Sequence, residues 1–118
     1  MNSEVGFEGL EVWQEAVKLA SEIYSHFVSH KDFGFKDQIT RSALSVASNI
    51  AEGYERYFKK EKHHFYSIAR GSAGELRTQI KIGIEIGYIT PDQGEGWLEN
   101  ARRISSMISG LMNSVKTH

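Results

Sequence analysis

Apolar residues recur every three or four positions along nearly the whole chain, and this period limits the fold more than any other feature. The spacing is typical of helices that each bury one face, and no alternation of period two is long enough for a sheet. We therefore predict an all-α fold. Four stripes carry the pattern: Trp13, Ala16, Val17, Ala20, Ile23, Tyr24 and Phe27; Ile39, Ala43, Val46 and Ile50; Phe65, Ala69, Ser72, Leu76, Ile80 and Gly83; and Trp97, Ala101, Ile104, Ile108, Leu111 and Val115.

Glycine and proline mark the boundaries of the predicted helices. The only proline, Pro91, can begin a helix capped by Thr90, and Gln93 completes a capping box. Gly87 can take the left-handed conformation that ends the preceding helix, and Gly34 permits the bend between the first two. The predicted helices cover 9–30, 35–57, 60–87 and 91–115. Because the connections are short, we predict an up-down-up-down antiparallel four-helix bundle.

Composition narrows the class of protein. A chain of 118 residues is long enough for one core but not for two, so we expect 1–118 to be a single domain. Cysteine is absent, which excludes disulfides and thiolate metal sites and fits a reducing cytosol. The amino terminus lacks the pattern of a signal peptide, and no stretch approaches the roughly 18 apolar residues of a membrane-spanning helix. We expect a soluble cytoplasmic protein without a membrane partner.

The second and third predicted helices are poor in bulky side chains over several turns. Small residues dominate 42–51 in the second helix and 69–74 in the third, where two glycines occur. A glycine inside a helix costs about 1 kcal/mol relative to alanine, and close approach of another backbone is the usual compensation. We expect these stretches to face each other or a neighbouring subunit. The residues predicted at the close approach are Ala47, Ala51, Gly71 and Ser72.

Polar residues lie among these small ones, and a buried carboxylate must be paired. Glu52 precedes Arg56 by four residues, the favourable order for an ion pair on one helical face. Asn49 and Glu75 could join this pair across the seam between the helices. Asn49 and Glu52 lack a nucleophile or a second perturbed acid nearby in sequence, so we expect no catalytic pair. The favoured interpretation is a structural network that fixes helix register, formed by Asn49, Glu52, Arg56, Arg70 and Glu75.

The formal charge of −1 is unevenly distributed. Residues 1–30 carry five Glu and one Lys, a net charge of −4, whereas 41–81 carry eight Lys or Arg and four Glu, a net charge of +4. The stretch RYFKKEKHHFY (56–66) mixes cations, which can neutralise phosphates, with aromatics, which can stack on unpaired bases. A solvated helix start, with Phe65 turned into the core, is the alternative. The predicted nucleic-acid-binding residues are Arg56, Lys59, Lys60, Lys62 and Arg70.

Signatures of enzymes and metal sites are incomplete. A di-iron bundle needs two Glu-x-x-His motifs, and Glu61-x-x-His64 is one match without a second. His26 and His30 have a spacing that can hold zinc but lack an evident third ligand. The sequence has no Gly-x-Ser-x-Gly elbow, and its glycine run lacks the lysine of a phosphate loop. We expect no enzyme, no metal and no cofactor.

Two blocks, SNIAEG followed by Arg56 and Lys60-Glu61, then IARGSAGEL, resemble a known family. This is the four-helix bundle family encoded within intervening sequences of large-subunit ribosomal RNA genes. LEVWQEAVKLASEIY and FGFKDQITRSALSVASNIAEG look similar too, so the likeness spans about Leu10 to Leu111. Ala47 departs from the family, whose members often have proline there. The positions that match the family pattern are Asn49, Glu52, Gly53, Arg56, Glu61, Arg70, Gly71, Ser72 and Glu75.

The resemblance implies a bacterial cytoplasmic protein that assembles as a homopentameric ring and has no established enzymatic activity. A related branch, the accessory proteins of diversity-generating retroelements, binds nucleic acid and a reverse transcriptase through a basic pentameric barrel. That branch is notably basic, unlike this chain. Two hypotheses follow: an oligomeric bundle that binds RNA or DNA through the second and third helices, or a scaffold that recruits another protein, which the near-neutral charge and acidic first helix favour.

Overall fold

Four α-helices form most of the protein in the computed structural model, which describes residues 6–116. A 3₁₀ turn, Gly6–Gly9, precedes α1 (Glu11–Phe27), α2 (Phe33–Glu55), α3 (Lys59–Glu85) and α4 (Pro91–Ser114). These described residues contain no strand, so the predicted all-α class is confirmed. Every predicted helix end lies within three residues of the observed one.

Cross-helix contacts show that α2 and α3 run in opposite directions. Ser42 Oγ of α2 donates to Glu75 Oε1 of α3 at 3.2 Å, and three residues further along α2 the Oγ of Ser45 lies 2.8 Å from that of Ser72. A step forward along α2 is therefore a step back along α3. The helices pack in chain order, and α1 also packs against α4, which closes the four-helix bundle.

The ends of α1 and α4 confirm the closure. Near the start of α1, Arg103 of α4 donates to Glu11 Oε2 at 2.8 Å. About three helical turns further along α1, Glu22 Oε1 accepts a hydrogen bond from Trp97 Nε1 at 3.1 Å. The residue number rises along α1 and falls along α4, so this pair is antiparallel as well. Among the described residues, no helix is long and apolar enough to span a bilayer.

The predicted cap of α4 and the left-handed glycine after α3 are both observed, but among the described residues the Gln93 side chain makes no return hydrogen bond to Thr90, so the capping box is only half formed. Thr90 Oγ1 accepts a hydrogen bond from the backbone N–H of Gln93 at 3.3 Å, Pro91 is the first helical residue, and Gly87 has a φ of +83°. The prediction for Gly34 is wrong, because this residue lies inside the first turn of α2 and has no positive φ. The chain turns before it, where Asp32 Oδ1 accepts from Phe35 N–H at 3.1 Å and caps α2.

One hydrophobic core runs between the helices, and it differs from the predicted stripes most clearly at the start of α3 and along α1. Phe65 is only half-buried, whereas Tyr66 is 3% exposed and takes the predicted inward place. In α1, Trp13 is half-buried and Tyr24 is exposed, because the buried face is rotated toward Val12 and Leu19. A cavity of about 10 Å³ lies in the core, among alanines of all four helices. Its lining comprises Ala16, Leu19, Ala20, Ala43, Val46, Ala73, Leu76, Ala101 and Ile104.

Close helix crossings occur at glycines other than the one predicted. A Cβ added to Gly53 would lie 2.7 Å from a ring carbon of Tyr66, and one added to Gly83 would lie 2.5 Å from Ile89 Cδ1. Gly71 is exposed, and a Cβ there would meet nothing within 4 Å. Gly71 therefore makes no close approach to α2 within the described chain, and its contact with a neighbouring subunit stays a prediction. Ala47 lies in the core, while Ala51 and Ser72 are half-buried.

Candidate nucleic-acid interface

The connection between α2 and α3 brings four of the five predicted cations to one end of the bundle. α2 ends at Glu55 because the backbone of Arg56 is extended, and α3 begins at Lys59 after an extended Phe58. Three residues suffice for this reversal because Gly53 allows α3 to approach α2 closely at the ring of Tyr66.

Two aromatic side chains in this connection project into solvent. Tyr57 is 86% exposed and Phe58 is 62% exposed. Their ring centroids lie 4.9 Å apart with an interplanar angle of 89°, an edge-to-face pair. Lys59 and Lys60 follow directly and are exposed, and neither forms an ion pair within residues 6–116. We call Tyr57, Phe58, Lys59 and Lys60 the α2–α3 corner.

The other two predicted cations near the corner have intramolecular partners. Arg56 Nη2 donates to Glu52 Oε2 at 2.6 Å, and its guanidinium carbon lies 4.7 Å from the centroid of the Phe65 ring. Lys62 Nζ donates to the carbonyl oxygen of Tyr54 at 2.6 Å and lies 5.4 Å from the centroid of its ring. Arg56 and Lys62 therefore lie near the corner, but their charged groups contact other residues of the protein.

Arg70 lies apart from the corner, so the five predicted nucleic-acid-binding residues do not form one site. It follows Lys59 by eleven residues, a distance of roughly 16 Å along an α-helix. Its Nη1 donates to Ser109 Oγ of α4 at 3.3 Å. Arg70 thus contributes to the contact between α3 and α4, and the cations that gather at the corner are Arg56, Lys59, Lys60 and Lys62.

Polar residues at the α2–α3 seam form separate contacts. Asn49 Nδ2 donates to the carbonyl oxygen and to Oγ of Ser45, at 2.9 and 3.0 Å, within its own helix. Ser45 in turn meets Ser72, and Glu75 accepts from Ser42. The prediction of a single network that contains Asn49, Glu52, Arg56, Arg70 and Glu75 is therefore wrong for the described residues, because hydroxyl groups make the actual crossings.

The histidines considered for zinc lie at the opposite end of the bundle in an aromatic cluster. His26 Nε2 lies 2.9 Å from the carbonyl oxygen of Tyr88, and the rings of His30 and Tyr88 meet edge to face. The Tyr88 hydroxyl donates to Asp32 Oδ2 at 2.7 Å, which holds the pKa of Asp32 below its usual value and raises that of Tyr88. Residues 6–116 bring no three His, Cys, Asp or Glu side chains together in a metal-binding group.

The nucleic-acid-binding residues predicted from the sequence did not include Tyr57 and Phe58. The available signal was their position, since both follow the last residue of the α2 stripe and precede the first of the α3 stripe. Aromatic residues in a connection between two stripes lack the helical spacing that would place them on a buried face.

Comparisons with known proteins agree with the fold and with the resemblance drawn from the sequence. The model of the 23S rRNA-intervening sequence protein family matches residues 8–110. A crystal structure of a protein of unknown function from the S23 ribosomal protein family of Bacteroides thetaiotaomicron is 25% identical, with a TM-score of 0.80 over 86% of this chain and 97% of that one. No curated protein matches the sequence. The chain belongs to the 23S rRNA-intervening sequence protein family.

Proposed function

We propose that the protein is a non-enzymatic, cytoplasmic homo-oligomer that binds RNA or DNA at the α2–α3 corner. The observation that carries the proposal is the exposure of Lys59 and Lys60 beside two exposed rings, without an ion-pair partner in residues 6–116. Cations that neutralise phosphates supply most of the affinity in non-specific nucleic-acid binding.

The position of these lysines in α3 also supports an anionic ligand. They lie in the first turn, where a cation opposes the helix dipole and an anion is favoured. The N-cap residue, Phe58, makes no side-chain cap, so it satisfies none of the first backbone N–H groups of α3. A phosphate at the corner would meet both the lysines and this helix end.

Assembly is supported by apolar side chains on the outer surface. Ile68 and Ile82 of α3 and its C-cap residue, Ile86, are exposed and are spaced by nearly whole numbers of helical turns, so they share one face. Leu44 of α2 is exposed as well. Burial of these side chains between copies would remove apolar area from water. A homopentamer is the assembly that family resemblance implies, and light scattering that gives a monomer would contradict it.

Assembly would also strengthen binding at the corner. Residues 52–62 contain four cations and three acids, so one copy has only a small positive excess. Several corners in one particle would engage one nucleic acid together and raise the overall affinity without any new kind of contact.

Lys59→Glu with Lys60→Glu tests the proposal. A matched control is Lys18→Glu with Lys31→Glu, which makes the same change in total charge at two exposed lysines elsewhere. In filter binding at low salt we expect the corner variant to lose retention of RNA and DNA and the control to keep it. Retention by the unchanged protein should fall steeply as salt rises. The proposal fails if the unchanged protein retains no nucleic acid at low salt.

A protein-interaction scaffold is the second candidate function. It is favoured by Phe33, which is 72% exposed, and by the neighbouring exposed Val28 at the end of the bundle opposite the corner. Lys36 links them, because its Nζ donates to Val28 O at 3.0 Å and lies 5.7 Å from the Phe33 centroid. A specific partner recovered after nuclease treatment, and lost with Phe33→Glu, would favour this function over the first.

A further inference from the structure

We infer that the α2–α3 corner binds single-stranded nucleic acid, with unpaired bases stacked on Tyr57 and Phe58 and the adjacent phosphates near Lys59 and Lys60. This inference rests on the proposed function and narrows it from nucleic acid in general to strands with unpaired bases. Stacking on aromatic rings beside a cationic surface is how proteins hold single strands without reading their sequence.

Exposure of the two rings is the first support. Large aromatic side chains dominate cores and interfaces, yet Tyr57 and Phe58 are 86% and 62% exposed. Their edge-to-face contact covers one face of one ring, and the remaining ring faces stay open to other partners. A base offers a flat surface that can cover such a face.

The neighbouring aromatic residues Tyr54 and Phe65 differ from Tyr57 and Phe58 in their contacts with cations. Lys62 lies over the ring of Tyr54 and Arg56 lies over that of Phe65, so the protein covers these two aromatics with its own cations. In the part of the chain that the structure describes, no cation lies over Tyr57 or Phe58. The two rings at the corner are therefore the ones left to stack on a ligand.

The spacing along the chain fits a nucleotide strand. Successive Cα atoms lie about 3.8 Å apart, and phosphates in a stacked strand advance about 3.4 Å per nucleotide. Two aromatic rings and two ammonium groups thus lie within a stretch of chain no longer than a few nucleotides, so one short strand can contact both. In a duplex the base faces are stacked on each other and cannot reach the rings, so the geometry selects unpaired bases.

Fluorescence anisotropy with a labelled single strand of about 20 nucleotides, longer than common single-strand site sizes, tests the inference. RNA and DNA strands form two arms, and the duplex of the same sequence is the comparison. We expect tighter binding of the single strand than of the duplex. Tyr57→Leu, which removes the ring but keeps an apolar side chain, should weaken single-strand binding by about five-fold or more. Tyr57→Phe, which keeps the ring, should restore most of the affinity.

Phe33→Leu is the matched control, because Phe33 is also an exposed aromatic beside a lysine but lies at the other end of the bundle. It should bind as the unchanged protein does. Equal affinity for single strand and duplex, together with no effect of Tyr57→Leu, overturns the inference and leaves the proposed function standing. No binding of either form overturns both. A change of subunit number in Tyr57→Leu, seen by light scattering, overturns the inference as well, because the rings would then serve contacts between copies.

Discussion

Replacement of Gly53 by alanine tests the helix crossing that closes the α2–α3 corner. The new Cβ would lie 2.7 and 2.8 Å from two ring carbons of Tyr66 and 3.2 Å from the carbonyl oxygen of Lys62. Tyr66 is only 3% exposed, so its ring has little space to retreat, and the carbonyl belongs to helical backbone. Overpacking of this kind costs about 1–3 kcal/mol, against a gain of about 1 kcal/mol from removing a glycine from a helix.

Gly71→Ala is the matched control for this variant. Its Cβ would meet nothing within 4 Å, so only the gain of about 1 kcal/mol remains. That gain corresponds to a rise in Tm of roughly 4 °C for a domain of this size. The two alanine variants should therefore differ in their free energy of unfolding by about 1–3 kcal/mol, with Gly53→Ala the less stable.

Urea unfolding followed by circular dichroism would measure this difference. Each variant should be measured at two protein concentrations, because the stability of an oligomer depends on concentration. Equal stability of the two variants would show that the crossing at Gly53 is not tight and would refute the reasoning. If Gly71→Ala is less stable than the unchanged protein and alters its subunit number, the open space around Gly71 is filled by another copy.

Two further hydrogen bonds give measurable predictions. Trp97 is 2% exposed and its Nε1–H has Glu22 as acceptor, so Glu22→Ala should lower the free energy of unfolding by about 1–3 kcal/mol, and Glu22→Gln, which keeps an acceptor, by less. Tyr88→Phe removes the main cause of the lowered pKa of Asp32, so that pKa should rise toward 3.8 in an NMR titration. Because the folded-state pKa is the lower one, this hydrogen bond stabilises the protein above the pKa of the unfolded chain, and its contribution disappears as pH falls through the folded-state value. An unchanged Asp32 pKa in Tyr88→Phe, or a stability of Glu22→Ala equal to that of the unchanged protein, would contradict these assignments.

Helix boundaries could be predicted from the sequence because local chemistry decides them. Thr90, Pro91 and Gln93 form their cap within four residues of chain, and no distant partner is needed. The stripe of α2 is likewise correct at every position, since Ile39, Ala43, Val46 and Ile50 are all buried.

At the start of α3, the sequence pattern alone does not decide which side chain faces the core. Phe65 and Tyr66 both continue a helical period toward Ala69, so the spacing alone allows either one to face inward. Gly53 on the neighbouring helix decides, because it leaves room for the ring of Tyr66. The choice between adjacent residues therefore depends on a partner 13 positions away in the chain, which no local pattern contains.

For the candidate site, the helical period predicts which residues are exposed but not which partners they contact. Lys59 and Lys60 lie outside both stripes, so their exposure follows from the pattern. The direction of Arg70 depends on Ser109 of α4, and the contacts of Asn49 are satisfied within its own helix by Ser45. A partner four residues away in the same helix needs no ordering of a second element, and it therefore competes well with a partner across a seam.

The alanines around the small central cavity make the bundle narrow at that level. Helix axes separated mainly by methyl groups lie at the short end of the usual range of interaxial distances, about 8–10 Å. A larger side chain at Ala43 or Ala101 would push α2 or α4 away from the neighbouring helices. The displacement of that helix would be largest at its ends. A larger side chain at Ala43 would therefore also move the end of α2 at the α2–α3 corner, although Ala43 itself lies in the core.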